Sequence, residues 1–176
     1  MWALDEARFG RKVWYRRRWC PLGTRPPWVD DDQDEWLWLY AAVEPTTGHS
    51  FCLLLPRLDG ACFELFLREW RQAFPDGRVA VVLDNSGAHT SRRITWPSGI
   101  EPVHLPAYSP ELNPGERWFK ELREPLANQV HDRLEVLETA LIKALRPYWE
   151  YPETLVQLTA YPWWRDGIQD STTFTQ

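Results

Sequence analysis

Three carboxylates stand out by position: Asp5 in a short apolar segment, Asp84 directly after the apolar run Val79 to Leu83, and Glu116 just inside a helix start. A continuously apolar run of that kind is the pattern of a strand buried on both faces of a parallel sheet. In open α/β sheets, sites gather beyond the carboxyl ends of such strands. An ionised aspartate beside that run is costly unless it is solvated, hydrogen-bonded or metal-bound, although Asp84-Asn85 also reads as a turn. Asp5 is followed by Glu6, and side chains alternate across a strand. The two therefore face opposite ways, one of them is expected to share a site with Asp84, and nothing local chooses between them.

Glu116 lies within "YSPELNPGERW", Tyr108 to Trp118. With Asn113 as N-cap, Pro114 takes the first helical position, where its missing N–H costs nothing. Glu116 then occupies the third position, the reciprocal partner of a capping box. The same placement fixes a carboxylate on a rigid first turn near the positive end of the helix dipole, flanking a buried stripe of Phe119, Leu122 and Leu126. Glu111 precedes the cap among turn residues, so the geometry favours Glu116. Carboxylates from two strands and a helix start suit a hard cation such as magnesium, which takes oxygen ligands and substrate phosphates. Two such ions can activate an attacking hydroxyl and stabilise the leaving oxygen in phosphodiester displacement. That chemistry needs no histidine; of His49, His89, His104 and His131, only His89 and His104 flank the inferred site.

The elements that must hold these residues follow from pattern. At 176 residues, 44% of them hydrophobic and with twelve tryptophans, the chain reads as one globular domain whose tryptophans mostly pack its core. The start, "MWALDEARF", reads as a strand. "WLWLYAAVE" and "HSFCLLLP", joined through "PTTG", read as a hairpin. "DGACFELFLREWRQAF" places Phe63, Phe66, Leu67 and Trp70 at helical spacing. A strand at "RVAVVL", a second at "IEPVHLP" and two helices follow. Pro125 breaks or kinks the first helix; the second carries a Leu134, Leu137, Leu141, Ala144, Leu145 stripe and an Asp132/Glu135 capping box. The expected architecture is a mixed α/β sheet, an antiparallel hairpin plus parallel strands, flanked by helices. The domain spans 1–150, and 151–176 form a tail of unplaced structure.

Charge narrows the partners. Twenty Lys and Arg against 25 Asp and Glu give a net charge of −5, which argues against a dedicated nucleic-acid-binding module but not against an enzyme acting on nucleic acid. Arg11, Lys12, Arg16, Arg17 and Arg18 concentrate in "GRKVWYRRRW", either as phosphate contacts or as a charged strand edge. The acidic cluster Asp30 to Glu35 lacks the alternation and glycine of a calcium loop and reads as a solvated loop. Three cysteines without C-x-x-C spacing read as free thiols. No run approaches the ~20 apolar residues of a membrane span, and carboxylates stand where a signal peptide would be apolar. A cytoplasmic protein is expected.

"LDNSGAH" (Leu83 to His89) and "HLPAYSPELNPGERWFKELR" (His104 to Arg123) resemble the catalytic domain of DDE transposases, within the mariner-like superfamily and its bacterial insertion-sequence relatives. The early Asp5-Glu6 pair and the "W-x-P-x-G-x-R-P" segment, Trp19 to Pro26, match as well. The resemblance implies an RNase H-like fold and a metal-binding catalytic triad of Asp5, Asp84 and Glu116. It further implies two magnesium or manganese ions, nicking at transposon ends and transfer of the resulting 3′-hydroxyl to target DNA; a homodimer is expected, with some of the tryptophans supplying its surface. Asn85, His89 and Asn113 fall in supporting or substrate-contacting positions. Gly115 departs from the family's usual isoleucine, which is expected to loosen packing at the helix start. Family members carry a helix-turn-helix region ahead of the first catalytic strand; here it is expected in a separately encoded DNA-binding protein, or the chain is a truncated remnant. Two other readings stand beside this one: an RNase H-like nuclease without strand transfer, and a catalytically silent fragment that binds DNA or oligomerises.

Overall fold

The first strand, β1 (Trp2–Gly10), pairs antiparallel with β2 (Trp36–Val43), which returns through a turn at Glu44 to His49 into antiparallel β3 (Ser50–Leu55). On its other edge β1 runs parallel to β4 (Val79–Leu83), and β4 parallel to β5 (Ile100–His104), so the mixed sheet has the order β3-β2-β1-β4-β5. The computed structural model describes residues 1–25, 27, 29–90 and 94–173; Pro26, at the end of the Trp19 motif, lies outside them.

β1 is buried on both faces, and its alternation assigns a different partner to each. Ala3, Ala7 and Phe9 enter a core with Trp118, Phe119 and Leu122 of α3 (Pro114–Arg123), Leu137, Leu141 and Leu145 of α4 (Leu134–Glu150) and Leu155 of α5 (Pro152–Thr159). Trp2 and Leu4 point the other way, into a core with Phe63, Phe66, Leu67 and Trp70 of α1 (Gly60–Ala73). Those four α1 residues are the ones its periodicity predicts. Each fully buried leucine of α4 contributes about 1.5–3 kcal/mol relative to exposure. Asp59 caps α1 by accepting a hydrogen bond from the Cys62 N–H at 2.9 Å. α2 (Gly87–Thr90) is a single turn that follows the end of β4.

Two local expectations change. The α4 N-cap is Arg133 and no side chain caps it, so the Asp132/Glu135 capping box does not form. The segment beyond Tyr151 is helical: α5 is followed by α6 (Pro162–Thr173), each opening on a proline at the position where its missing N–H is harmless. α5 packs on α3 and α4 with Leu155 fully buried, and Trp164 of α6 joins the same core. No described helix is long and apolar enough to cross a membrane.

The hairpin turn is also where α5 docks. Gly48 has φ +76°, and a Cβ there would lie 2.0 Å from the Pro152 carbonyl oxygen. Gly48→Ala is expected to lower stability by at least about 1–2 kcal/mol, from the left-handed conformation alone, with more from displacement of α5. Thermal unfolding measures this; an unchanged melting temperature would show that α5 is not seated on the turn.

Candidate active site

β4 ends alongside the middle of β1, next to Leu4 and Asp5, and α3 starts there as well. The three elements converge on a cleft of about 420 Å³ lined by Asp5, Asp84, Asn85, Ser86, Asn113 and Glu116, with the segment Leu105 to Pro110 forming its rim. Asp5 sits on the α3 face of the sheet, only 8% exposed. Its Oδ1 accepts a hydrogen bond from the Glu6 N–H at 2.9 Å, whereas Oδ2 is buried without a partner. Burial, first, and the nearby Glu116 and Glu6 carboxylates raise the Asp5 carboxyl well above its ordinary range. Asp84 closes β4 in an exposed position, its Oδ1 fixed by the Ser86 N–H at 2.8 Å.

Glu116 projects from the first turn of α3 into solvent at the cleft. Asn113 is the N-cap, and its Oδ1 accepts from the Gly115 N–H at 3.0 Å. The Asn113 N–H is taken by the Pro110 carbonyl at 2.9 Å, so the reciprocal arm of the expected capping box is missing. The Glu116 carboxylate is left free of hydrogen bonds among the described residues. Asn113 Nδ2 donates to the Leu4 carbonyl at 3.1 Å, which ties α3 to β1 one residue before Asp5. Gly115 does not loosen this junction. A Cβ there would lie 3.2 Å from Asp5 Cβ and 3.2 Å from Asn113 Oδ1, so glycine is what lets the helix approach the strand this closely. Glu111 lies in a 3-10 turn, Pro110–Leu112, ahead of the cap.

The expectation that only one of Asp5 and Glu6 meets Asp84 needs revision. Only Asp5 lines the cleft, but Glu6, on the α1 face, reaches Asp84 through His89. Both Glu6 carboxylate oxygens lie 2.9 Å from His89 Nε2, and His89 Nδ1 lies 2.8 Å from Asp84 Oδ1. The ring is fully buried against Phe63, with centroids 4.6 Å apart. Burial disfavours the charged imidazole, but Glu6 and Asp84 together outweigh it and raise its pKa. Burial likewise raises the Glu6 carboxyl, against the lowering effect of His89. Asn85 turns away from the cleft chemistry: its Nδ2 donates to the Leu105 carbonyl at 2.6 Å and ties the ends of β4 and β5 together. His104 Nδ1 lies 3.2 Å from the Asp84 carbonyl.

Sequence reasoning left two residues unused. Glu6 was legible only as half of an open choice. Tyr108, fully exposed at the cleft rim with φ 59°, carries no local signal of that conformation.

The basic stretch is largely engaged. Arg11 Nη2 pairs with Asp31 at 2.9 Å and its Nη1 with Glu35; Lys12 pairs with Asp34 at 2.6 Å. The acidic cluster is thus the partner of the basic one rather than a merely solvated loop. Arg16 pairs with Glu124, and Arg18 donates to the Asn128 carbonyl at 2.7 Å. Arg17 is exposed with no partner among the described residues.

The donor set fits a divalent cation in kind: all three cleft carboxylates offer oxygen, and one has a buried oxygen with nothing bound to it. Among the described residues no three acidic, histidine or cysteine side chains are drawn together tightly enough to form a ready coordination shell.

A protein-family model described as DDE superfamily endonuclease matches residues 1–138. An uncharacterised protein of Sinorhizobium fredii, y4pE/y4sA, is 28% identical over 130 residues, which are 73% of this chain and 96% of that protein. Among solved structures, a pre-cleavage Mos1 transpososome superposes with TM-score 0.62 at 17% identity, over 90% of this chain and 54% of the Mos1 chain. The Mos1 mariner paired end complex with Mn gives TM-score 0.62 at 18% identity, over 90% and 53%. The isolated catalytic domain of Mos1 mariner transposase gives 0.52 at 18%, over 90% and 80%. This chain therefore spans about half the length of the Mos1 chains in the two assemblies. The likeness establishes the RNase H-like fold.

Proposed function

Because the chain belongs to the DDE superfamily endonucleases, we propose that it is the catalytic domain of a DDE-type transposase, which nicks DNA at element ends and transfers the new 3′-hydroxyl to target DNA. The observation that carries this reading is the buried, unpartnered Oδ2 of Asp5 in a cleft shared with Asp84 and Glu116. A folded chain keeps such a carboxylate only where something offsets its burial, and the acidic neighbours intensify the problem instead of relieving it.

Asp5, Asp84 and Glu116 would hold two magnesium or manganese ions. When bound, such ions supply charge stabilisation at the attacking and leaving oxygens of a phosphodiester. The chain's own contribution is placement. The Glu6 N–H and the Ser86 N–H each occupy one oxygen of Asp5 and of Asp84, leaving the second oxygen to the cleft. The Asn113 latch holds the first turn of α3, and with it Glu116, against β1. Asn85 fixes the rim by joining β4 to the segment after β5.

The partners in this reading are transposon ends, target DNA and a second copy of the chain, all in the cytoplasm. Within this stretch Arg17 has no partner among the described residues, so it is the first candidate for DNA contact; Arg18 would give up a backbone carbonyl, and Arg11, Lys12 and Arg16 would have to exchange carboxylate partners. Asp84→Ala tests the whole: it is expected to abolish magnesium-dependent nicking of DNA while circular dichroism stays that of the folded chain. Nicking at the wild-type rate by that variant would end the assignment. A pre-nicked end, offered with target DNA, separates strand transfer from simple hydrolysis.

A further inference from the structure

We infer that Glu6 and His89 form a buried relay that orients the Asp84 carboxylate from the back of the sheet, making both of them positioning residues for the cleft. The inference rests on the reading of Asp84 as a metal ligand. Its basis is geometric. β1 sends Asp5 to the α3 face and Glu6 to the α1 face, and Asp84 stands beyond the end of β4, where both faces can reach it. His89 closes that gap. Its single-turn helix follows Asp84 by a few residues, and the His89 N–H is bonded to the Ser86 carbonyl at 2.9 Å, which fixes the ring's origin.

The ring has no freedom to serve another purpose. Its side chain is 0% exposed, and Glu6 is 4% exposed. Nε2 is shared between both oxygens of Glu6, and Nδ1 lies 2.8 Å from Asp84 Oδ1 and 3.4 Å from the Asp84 carbonyl. Carboxylate oxygens only accept, and each ring nitrogen faces one, so both nitrogens carry a proton: Nε2 donates to Glu6 and Nδ1 donates to Asp84. Together with the Ser86 N–H, it commits Oδ1 and turns Oδ2 toward the cleft. Phe63 packs on the ring and excludes water from the relay. Partners that orient a metal-binding side chain in this way are typically worth 10–100-fold in metal affinity.

Substitutions at His89 separate this role from simple packing. Asparagine places a donor where Nδ1 stands, within reach of Asp84; glutamine places one where Nε2 stands, within reach of Glu6 only. Titration of the metal-free full chain with Mn2+ by calorimetry is expected to show His89→Asn within about threefold of wild type and His89→Gln weakened at least about tenfold, with the melting temperatures of the two alike. Equal Mn2+ affinity in the two variants, whether both retained or both lost, overturns the inference. Glu6→Gln keeps a group that can hold Nε2 and is expected to retain affinity, whereas Glu6→Leu loses it; equal affinity in that pair removes Glu6 from the relay. Asp84→Ala is the control that distinguishes the two levels. If it binds Mn2+ as wild type does, the metal reading itself fails; if it loses Mn2+ while His89→Gln does not, only the relay fails.

Discussion

Asp5→Asn is expected to raise the melting temperature of the metal-free chain and, at the same time, to erase its stabilisation by Mn2+. The wild-type carboxyl is buried with Oδ2 unpartnered, and burial, then Glu116 and Glu6, raise its pKa well above the ordinary range of an aspartate. An amide of the same shape keeps an acceptor for the Glu6 N–H and removes the repulsion. Relief of a strained functional site typically returns about 0.5–2 kcal/mol, which for a chain of this length is a rise of roughly 2–6 °C. Wild type, by contrast, is expected to gain about 2.7 kcal/mol from Mn2+ at a hundredfold its dissociation constant, and the variant none. The sign with pH is also fixed. A carboxyl whose folded pKa is raised favours folding only while protonated, so wild-type stability falls relative to the variant as pH rises from the unfolded value through the raised folded one. Thermal unfolding with and without Mn2+, at two pH values, measures all of this. A variant that melts lower than wild type without metal would show that Asp5 is structural.

Asn113→Ala is expected to cost roughly 2–4 kcal/mol, the second large effect. The cap hydrogen bond to the Gly115 N–H accounts for about 1 kcal/mol, and leaving the buried Leu4 carbonyl without its donor adds about 1–3 kcal/mol. The last β1–β4 pair is Ala3 with Val82, so Leu4 sits where that ladder has run out and a side chain must take over. A melting temperature lower by roughly 5–12 °C is the readout. Asn113→Asp sharpens it, because aspartate still accepts from Gly115 but cannot donate to Leu4. Wild-type stability in that variant would mean that the latch contributes nothing.

Much of this arrangement was legible because its signals are local. The hairpin, α1 and the buried strand before Asp84 announce themselves through periodicity, and Asn113-Pro114 marks the start of α3. What stayed hidden depends on contacts between distant segments. Strand parity correctly sends Asp5 and Glu6 to opposite faces, but it cannot reveal that Asp84 stands past the sheet's end, where a histidine bridges from behind. The capping box was half right because the Pro110 carbonyl competes for the Asn113 N–H. Gly115 looked like a packing defect; the Cβ geometry makes it a close-approach residue. Prolines 152 and 162 obscured the final helices because a proline reads as a breaker until its place at a first turn is known. The basic and acidic clusters were read separately, since ion pairs across such intervals leave no trace in local composition.

Those ion pairs have a consequence for how a polyanion would be received. Arg11 and Lys12 already have carboxylate partners, so a phosphate arriving there displaces an internal counter-charge instead of meeting a bare cation. Attraction from that segment then releases few condensed ions from the nucleic acid, and affinity owes less to dilute salt than a run of five basic residues implies. Within the segment the acidic loop holds only Arg11 and Lys12, so the cations free to meet a phosphate first are those toward its other end, Arg17 above all.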